Sequence, residues 1–374
     1  MNPYYFSFSA AALTFPVIAF FSALPYAVYS YRKYGAISIW RTLVLASFVL
    51  YLECAYFVTV LPLPDPAVVT NSPGAGYNLV PFYFVYEFLT QSSFVPSQLN
   101  TWLPALKSGE LLSTFYNCFL LLPFGIYLSY YFKCNWKKVL LFSFLFSLFF
   151  EITQITALYG LYPKPYRVFD VDDLVTNTFG AMIGYFIYTR FLRFLPDRDR
   201  IDQKSRVKGS HVGYLRRLTA FAADYLIISL IGHFFGALTK LDTLYTTSGV
   251  LCIYTIGVSL LTKGRTAGKA LVRIKVRQSK TGSSFALAVT SRYLCRNGMI
   301  FVLFLLDSLI ESAWELQRLW VPLYFGIILF VGIDVFYSLL KRKGLWYERL
   351  SWTENVSTFK EKAKKAEESE GAPA

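Results

Sequence analysis

Nine stretches of this chain, near residues 10–31, 41–62, 111–132, 138–159, 171–190, 217–238, 247–262, 298–312 and 320–340, are apolar runs of spanning or near-spanning length. A span needs about 20 mostly apolar residues, and inside lipid only helices or closed barrels can satisfy their own backbone. The fold class this dictates is all-α and polytopic, about nine transmembrane helices arranged as five plus four. The composition agrees: 55% of residues are hydrophobic and 16% charged, against about 25% charged in ordinary soluble domains. The first ten residues, MNPYYFSFSA, lack the basic leader of a signal peptide, so the first run is expected to be kept as a helix.

The basic residues set the orientation. Thirty-two of the 37 Lys and Arg residues fall in segments 32–41, 133–138, 190–217, 263–297 and 341–374, which alternate along a nine-span chain. The positive-inside rule then puts the N-terminus outside and the C-terminus in the cytoplasm. It also accounts for the net charge of +14 as a topogenic signal, with attraction to anionic membrane lipids added, and nucleic acid is not an expected partner. The expected organisation is a first transmembrane module over 1–192, a basic cytoplasmic linker over 193–213, a second module over 214–356 and a charged, flexible tail over 357–374.

Few catalytic signatures survive inspection. The five cysteines form no CxxC or other metal-ligand spacing, and with only two histidines there is no HExxH. The stretch GRTAGKA lacks the spacing and the final Ser or Thr of a phosphate-binding P-loop. LVRIKVRQSKTGSSFAL alternates apolar and basic residues about Lys280-Thr281-Gly282, which predicts a short cytoplasmic hairpin. Residues 77–90, YNLVPFYFVYEFLT, are too short to cross and are expected to be interfacial or re-entrant.

The stretch that needs explaining is RVFDVDDLVTNTFGAMIGY, residues 167–185. Asp170, Asp173, Asn177, Gly180 and Gly184 are spaced 3, 4, 3 and 4, which places them on one helical stripe. The glycines would admit a second helix at close range. Glu151 and Gln154 share a face at the end of the preceding run, Asn117 opens the third, and Asn78 lies in the interfacial segment, so polar groups converge on one depth near the outer surface. Arg167 is the expected ionic partner of Asp170 and Asp173. Charges in a bilayer are costly and face the protein interior, so two readings stand side by side: a buried structural network, or a pocket open to the outside. In the second reading Glu151, Asp170 and Asp173 are candidate catalytic groups and candidate ligands for a divalent cation. Arg167, Gln154, Asn177, Asn117 and Asn78 are candidate binding residues. Asp172, off the stripe, is expected to cap the helix or touch headgroups.

These residues also carry a family resemblance. YNLVPF, NCFLLLPFG, EITQ and the R-x-x-D-x-x-D-x-x-x-N-x-x-G pattern at Arg167, Asp170, Asp173, Asn177 and Gly180 resemble the ordered motifs of the VanZ-like family, over about residues 40–190. The resemblance implies a bacterial cell-membrane protein, in some cases one that lowers sensitivity to teicoplanin-type glycopeptides. The partners expected of an outward pocket are membrane lipids, a cell-wall precursor or the glycopeptide itself. The resemblance implies no mechanism, and enzyme status stays open.

Residues 214–356 resemble the RDD family: Arg217 and Asp224 match its R-x-x-x-x-x-x-D opening, and Thr266, Gly268 and Lys269 its T-x-GK signature. Glu348 stands where the family has a closing Asp. Arg217 and Asp224 lie two turns apart on one helical face and are expected to pair, a snorkelling cation with a buried acid. Were this half to move ions, Asp307 and Asp334 would be further candidates.

Overall fold

The computed structural model describes residues 3–106, 109–279, 284–312, 317–341 and 343–359. In chain order the elements are α1 Pro3–Tyr34, α2 Ile39–Val60, α3 Pro66–Asn71, β1 Tyr77–Asn78, α4 Tyr83–Gln91, α5 Leu99–Leu106, α6 Gly109–Tyr130, α7 Trp136–Ile155, the kinked turn α8 Ala157–Gly160, β2 Phe169–Asp170, α9 Val171–Phe191 and α10 Arg198–Lys208. They continue with α11 Tyr214–Thr239, α12 Thr243–Ile253, a π-helical turn Tyr254–Val258, α13 Ser259–Leu261, α14 Ala267–Leu271, β3 Ile274–Gln278, α15 Phe285–Ser312, α16 Gln317–Lys341, α17 Trp346–Leu350 and β4 Thr353–Ser357.

The protein is an all-α polytopic membrane protein. Seven helical stretches among the described residues are long and apolar enough to span: Tyr5–Tyr34, Ile39–Val60, Leu111–Tyr130, Trp136–Ile155, Tyr214–Thr239, Thr243–Leu261 and Trp320–Lys341. The two remaining expected spans fall on α9 and α15, which are long enough. α9 opens on Asp172 and Asp173, and α15 carries Arg292, Arg296 and Asp307, so charge dilutes their hydropathy. Large apolar side chains face outward throughout, Leu13, Phe20, Phe179 and Leu230 among them, a surface suited to hydrocarbon.

Two compact units result: residues 1–20 with 39–201, and residues 21–38 with 202–374. The second half of α1 therefore packs with the C-terminal unit, where Ala27 and Tyr31 join Ala220, Val272 and Ile274 in one core cluster. Within the polar segment read from sequence as a linker, residues 198–208 form α10.

The first unit is built on one seam. A Cβ on Gly180 would lie 2.7 Å from the carbonyl carbon of Cys118, and one on Gly184 3.0 Å from that of Leu122. From the other side, Gly125 of α6 meets the backbone at Ala181. Three glycines thus bring the backbones of α6 and α9 into contact, as small-residue seams do in membranes. A core of Leu121, Phe124, Val139, Phe150 and Ala181 closes over it.

The second unit contains a correction. The basic stretch after α14 does form a strand, but its partner is remote: β3 pairs antiparallel with β4, Ile274 opposite Ser357 and Gln278 opposite Thr353. Among the described residues no second strand follows β3 locally, because Phe285 already starts α15; Lys280-Thr281-Gly282, the expected turn, lies outside the described residues.

Candidate functional site

The site in the first unit begins with the short parallel pairing of β1 with β2, which sets Asn78 opposite Asp170. Asn78 Nδ2 donates to Asp170 Oδ1 at 3.0 Å. The same oxygen accepts the amide of Asp172 at 2.8 Å, making Asp170 the N-cap of α9. A capping carboxylate satisfies an orphan amide at the positive end of the helix. The backbone amide of Asp170 donates to Glu151 Oε2 at 3.0 Å, tying the end of α7 to the start of α9. Asp172 is buried, and its carboxylate accepts the amides of Phe82 and Phe84. It therefore fastens the interfacial segment; the capping role expected of it belongs to Asp170.

One turn further along α9, Asp173 accepts from Asn117 Nδ2 of α6. Ser147 of α7 donates to the Asp173 carbonyl at 3.2 Å and receives Asn177 Nδ2 at 2.9 Å. Gln154 Nε2 reaches the Thr59 carbonyl at 3.1 Å. Asp173, Asn177 and Gln154 are thus each held by a neighbouring helix.

These groups open onto one cavity of about 560 Å³, within the ordinary range for small-ligand sites. Of the residues singled out from sequence, Asn117, Glu151, Gln154, Arg167, Asp173 and Asn177 line it, with Tyr116, Thr59 and Ser7 added. Asn78 and Asp170 do not; they form the strand-and-cap support beside it. Asn177 is almost fully buried, yet its Oδ1 has no hydrogen-bond partner.

Two expectations are corrected here. Arg167 donates to the Leu61 carbonyl at 3.4 Å, and no described carboxylate lies at ion-pair distance from it. Asp170, its expected partner, is turned away by the strand pairing and the cap. The cage of Glu151, Asp170 and Asp173 does not form either: among the described residues no three His, Cys, Asp or Glu side chains converge as metal ligands. The arrangement offers a guanidinium, two carboxyl groups and amides in a membrane-embedded cavity. It suits a polar head bearing both hydrogen-bonding groups and an anionic one, since guanidinium recognises phosphate or carboxylate bidentately.

In the second unit Asp224 is a hub. It accepts from Tyr254 OH at 2.8 Å, from Thr266 Oγ1 and from the Gly268 amide at 2.7 Å. Thr266 also caps α14. A Cβ on Gly268 would strike Asp224 and the backbone of Ala220, so the T-x-GK motif is the device that seats α14 on α11. Lys269 is buried and donates to Tyr293 OH at 2.8 Å. Burial, reinforced by Arg296 and Arg292, holds its ammonium below the ordinary lysine value.

The expected pairing of Arg217 with Asp224 is absent. Arg217 instead meets Glu348 at 2.7 Å, and Arg292 meets the other Glu348 oxygen at 2.8 Å. The chain turn through α17 carries that acid to them, with Asn355 also donating to it. Asp334 is buried and pairs with Arg349 at 2.6 Å, which gives it a structural partner; the Asp307 side chain lies outside the described residues. Sequence reading overlooked Arg216, Arg292 and Arg296. Arg292 and Arg296 stand at i and i+4, a spacing that already puts both on one helical face. Arg216 carried no such signal; it is buried against the carbonyls of Gly209, Val272 and Arg273.

Apolar helices of spanning length in two compact units define the class: a two-module, multi-pass cell-membrane protein. Residues 48–193 match the VanZ/LLP1 family and residues 212–346 the RDD family, so the chain is a VanZ-like domain fused to an RDD family domain. No curated protein and no solved structure matches it.

Proposed function

We propose that the VanZ-like domain binds a lipid, a cell-wall precursor or a glycopeptide in the cavity around Arg167, and thereby acts in the cell envelope or lowers sensitivity to teicoplanin-type glycopeptides. One observation carries this reading: Arg167 lines the cavity with no carboxylate at ion-pair distance, and Asn177, which lines the same cavity, has an Oδ1 that lacks any donor. Buried polar groups are nearly always satisfied, so a cavity with both a guanidinium and an unmet acceptor is built for something that brings an anion and a donor. The distribution of basic segments supports an outward mouth, where glycopeptides and their targets meet.

A second reading uses the same groups as an enzyme on a lipid-linked or cell-wall substrate. Glu151 or Asp173 would act as general base and Arg167 would hold the phosphate or carboxylate. Its supporting observation is that both acids line the cavity with Arg167. Transport fits less well, because the acids of this domain gather at one end of α7 and α9.

The test is teicoplanin susceptibility of cells carrying wild type, Arg167→Ala or Asp173→Asn, each normalised to folded membrane protein. Protection by wild type that is lost in both variants at normal abundance is expected. Unchanged protection in both would overturn the binding reading.

A further inference from the structure

The RDD family domain has its own cavity, of about 550 Å³, between α11, α15 and α16. Its wall carries four cations, Arg217, Lys269, Arg292 and Arg296. Glu348 is shared between Arg217 and Arg292, and the carboxylate oxygens of Asp224 are occupied by Tyr254, Thr266 and Gly268. Lys269 and Arg296 have neutral partners: Tyr293 OH for the first, and for the second Asn297 Oδ1 and the rings of Phe221 and Tyr293 at 5.5 and 4.9 Å. Four cations against two carboxylates leave two positive charges without counter-charge in a buried place. Arg292 is 2% exposed and its Nε has no hydrogen-bond partner. Arg217 Nε is in the same state.

Burying a charge without a counter-ion is unfavourable, and an anion in this cavity would supply the missing counter-charge. The rest of the wall says which kind. Leu218, Phe221, Ile300, Val331 and Val335 give it hydrocarbon sides, and it is flanked by the most basic stretch of the chain, 263–297. A hydrated inorganic anion gains nothing from such walls, whereas a phosphate carrying acyl chains uses both.

We propose that this cavity is a binding site for the phosphate headgroup of an anionic phospholipid. Lys269, Arg292 and Arg296 receive the phosphate oxygens and the apolar walls take the start of the acyl chains. Two unmatched positive charges favour a dianionic phosphomonoester headgroup over a phosphodiester.

The full chain, purified in a neutral detergent, is titrated with short-chain phosphatidate, phosphatidylglycerol, phosphatidylcholine or inorganic phosphate, and thermal unfolding is followed. The expected order of stabilisation is phosphatidate, then phosphatidylglycerol, with phosphatidylcholine and inorganic phosphate inert. In Arg296→Met and Lys269→Met half-saturation by phosphatidate moves on the order of tenfold higher, the effect of one lost charge-assisted hydrogen bond. Both ligand-free variants should be at least as stable as wild type, because each removes an unpaired buried charge. Equal stabilisation by phosphatidylcholine would overturn the proposal, and stabilisation by inorganic phosphate as strong as by phosphatidate would reassign the site to a free anion. Should either variant fail to fold, the wild-type comparison of phosphatidate with phosphatidylcholine still decides.

Discussion

Replacing Gly180 by Ala sets two opposed effects against each other. In a helix interior the change gains about 0.8–1.0 kcal/mol of intrinsic propensity. Here the new Cβ would lie 2.7 Å from the Cys118 carbonyl carbon, where ordinary contact begins at 3.4 Å. The obstructing atoms are backbone, so no side chain can swing aside, and α6 and α9 must part. Overpacking of this kind costs about 1–3 kcal/mol, and more where nothing yields. The net expectation is a loss of roughly 1–2 kcal/mol. Parting the helices also pulls Asn117 from Asp173, which face each other across the seam, so ligand binding in the cavity should fall with stability. Gly249→Ala is the control, because nothing lies within 4 Å of its Cβ; it should gain stability by propensity alone. Chemical unfolding of the purified chain in detergent measures all three proteins. If Gly180→Ala is stabilised as much as Gly249→Ala, the helices do not touch there and the seam is wrong.

Other expectations follow from the same geometry. Glu348→Gln leaves Arg217 and Arg292 without their shared counter-charge; a loss of about 3–5 kcal/mol is expected, read as folded yield and unfolding midpoint. Asp172→Asn replaces one of two acceptors by a donor at the Phe82 and Phe84 amides, so amide exchange in residues 82–91 should accelerate at least tenfold, as expected for a loss of about 1.5–3 kcal/mol. Lys269 holds its proton less tightly when folded than when unfolded, so the unfolded chain binds more protons between the two pKa values. Stability should therefore rise with pH up to about 10.4, the ordinary lysine value, and Lys269→Met should flatten that rise in pH-dependent unfolding.

Helical periodicity and glycine spacing made much of the first unit legible from sequence. The stripe of Asp173, Asn177, Gly180 and Gly184 does face neighbouring helices, because a 3.6-residue repeat needs no knowledge of the partner. Asp170 escaped that logic. It heads the same stripe, but the residue before a helix obeys capping geometry and strand pairing, and Asn78, 92 positions away, supplies that pairing. That Arg167 makes no contact ion pair was invisible for the same reason: proximity in sequence predicted one with Asp170, which the strand pairing and the cap hold instead. In the second unit β3 was readable as a strand by its alternation, while its partner β4 lies far along the chain, a distance no local pattern encodes. Glu348 found Arg217 and Arg292 by the same long return of the chain, and Arg217 was taken from Asp224 in the process.

The central claim is that the cavity around Arg167 holds a ligand in the membrane. A photoreactive amino acid placed at Phe150, which is buried and lines the cavity, and at Leu141, which faces outward on α7, tests it in intact cells by ultraviolet cross-linking and mass spectrometry. An adduct of a lipid or cell-wall precursor, or of added glycopeptide, is expected from position 150 alone, lost when Arg167→Ala is introduced at unchanged protein abundance. No adduct from position 150, or the same adduct from position 141, would contradict it.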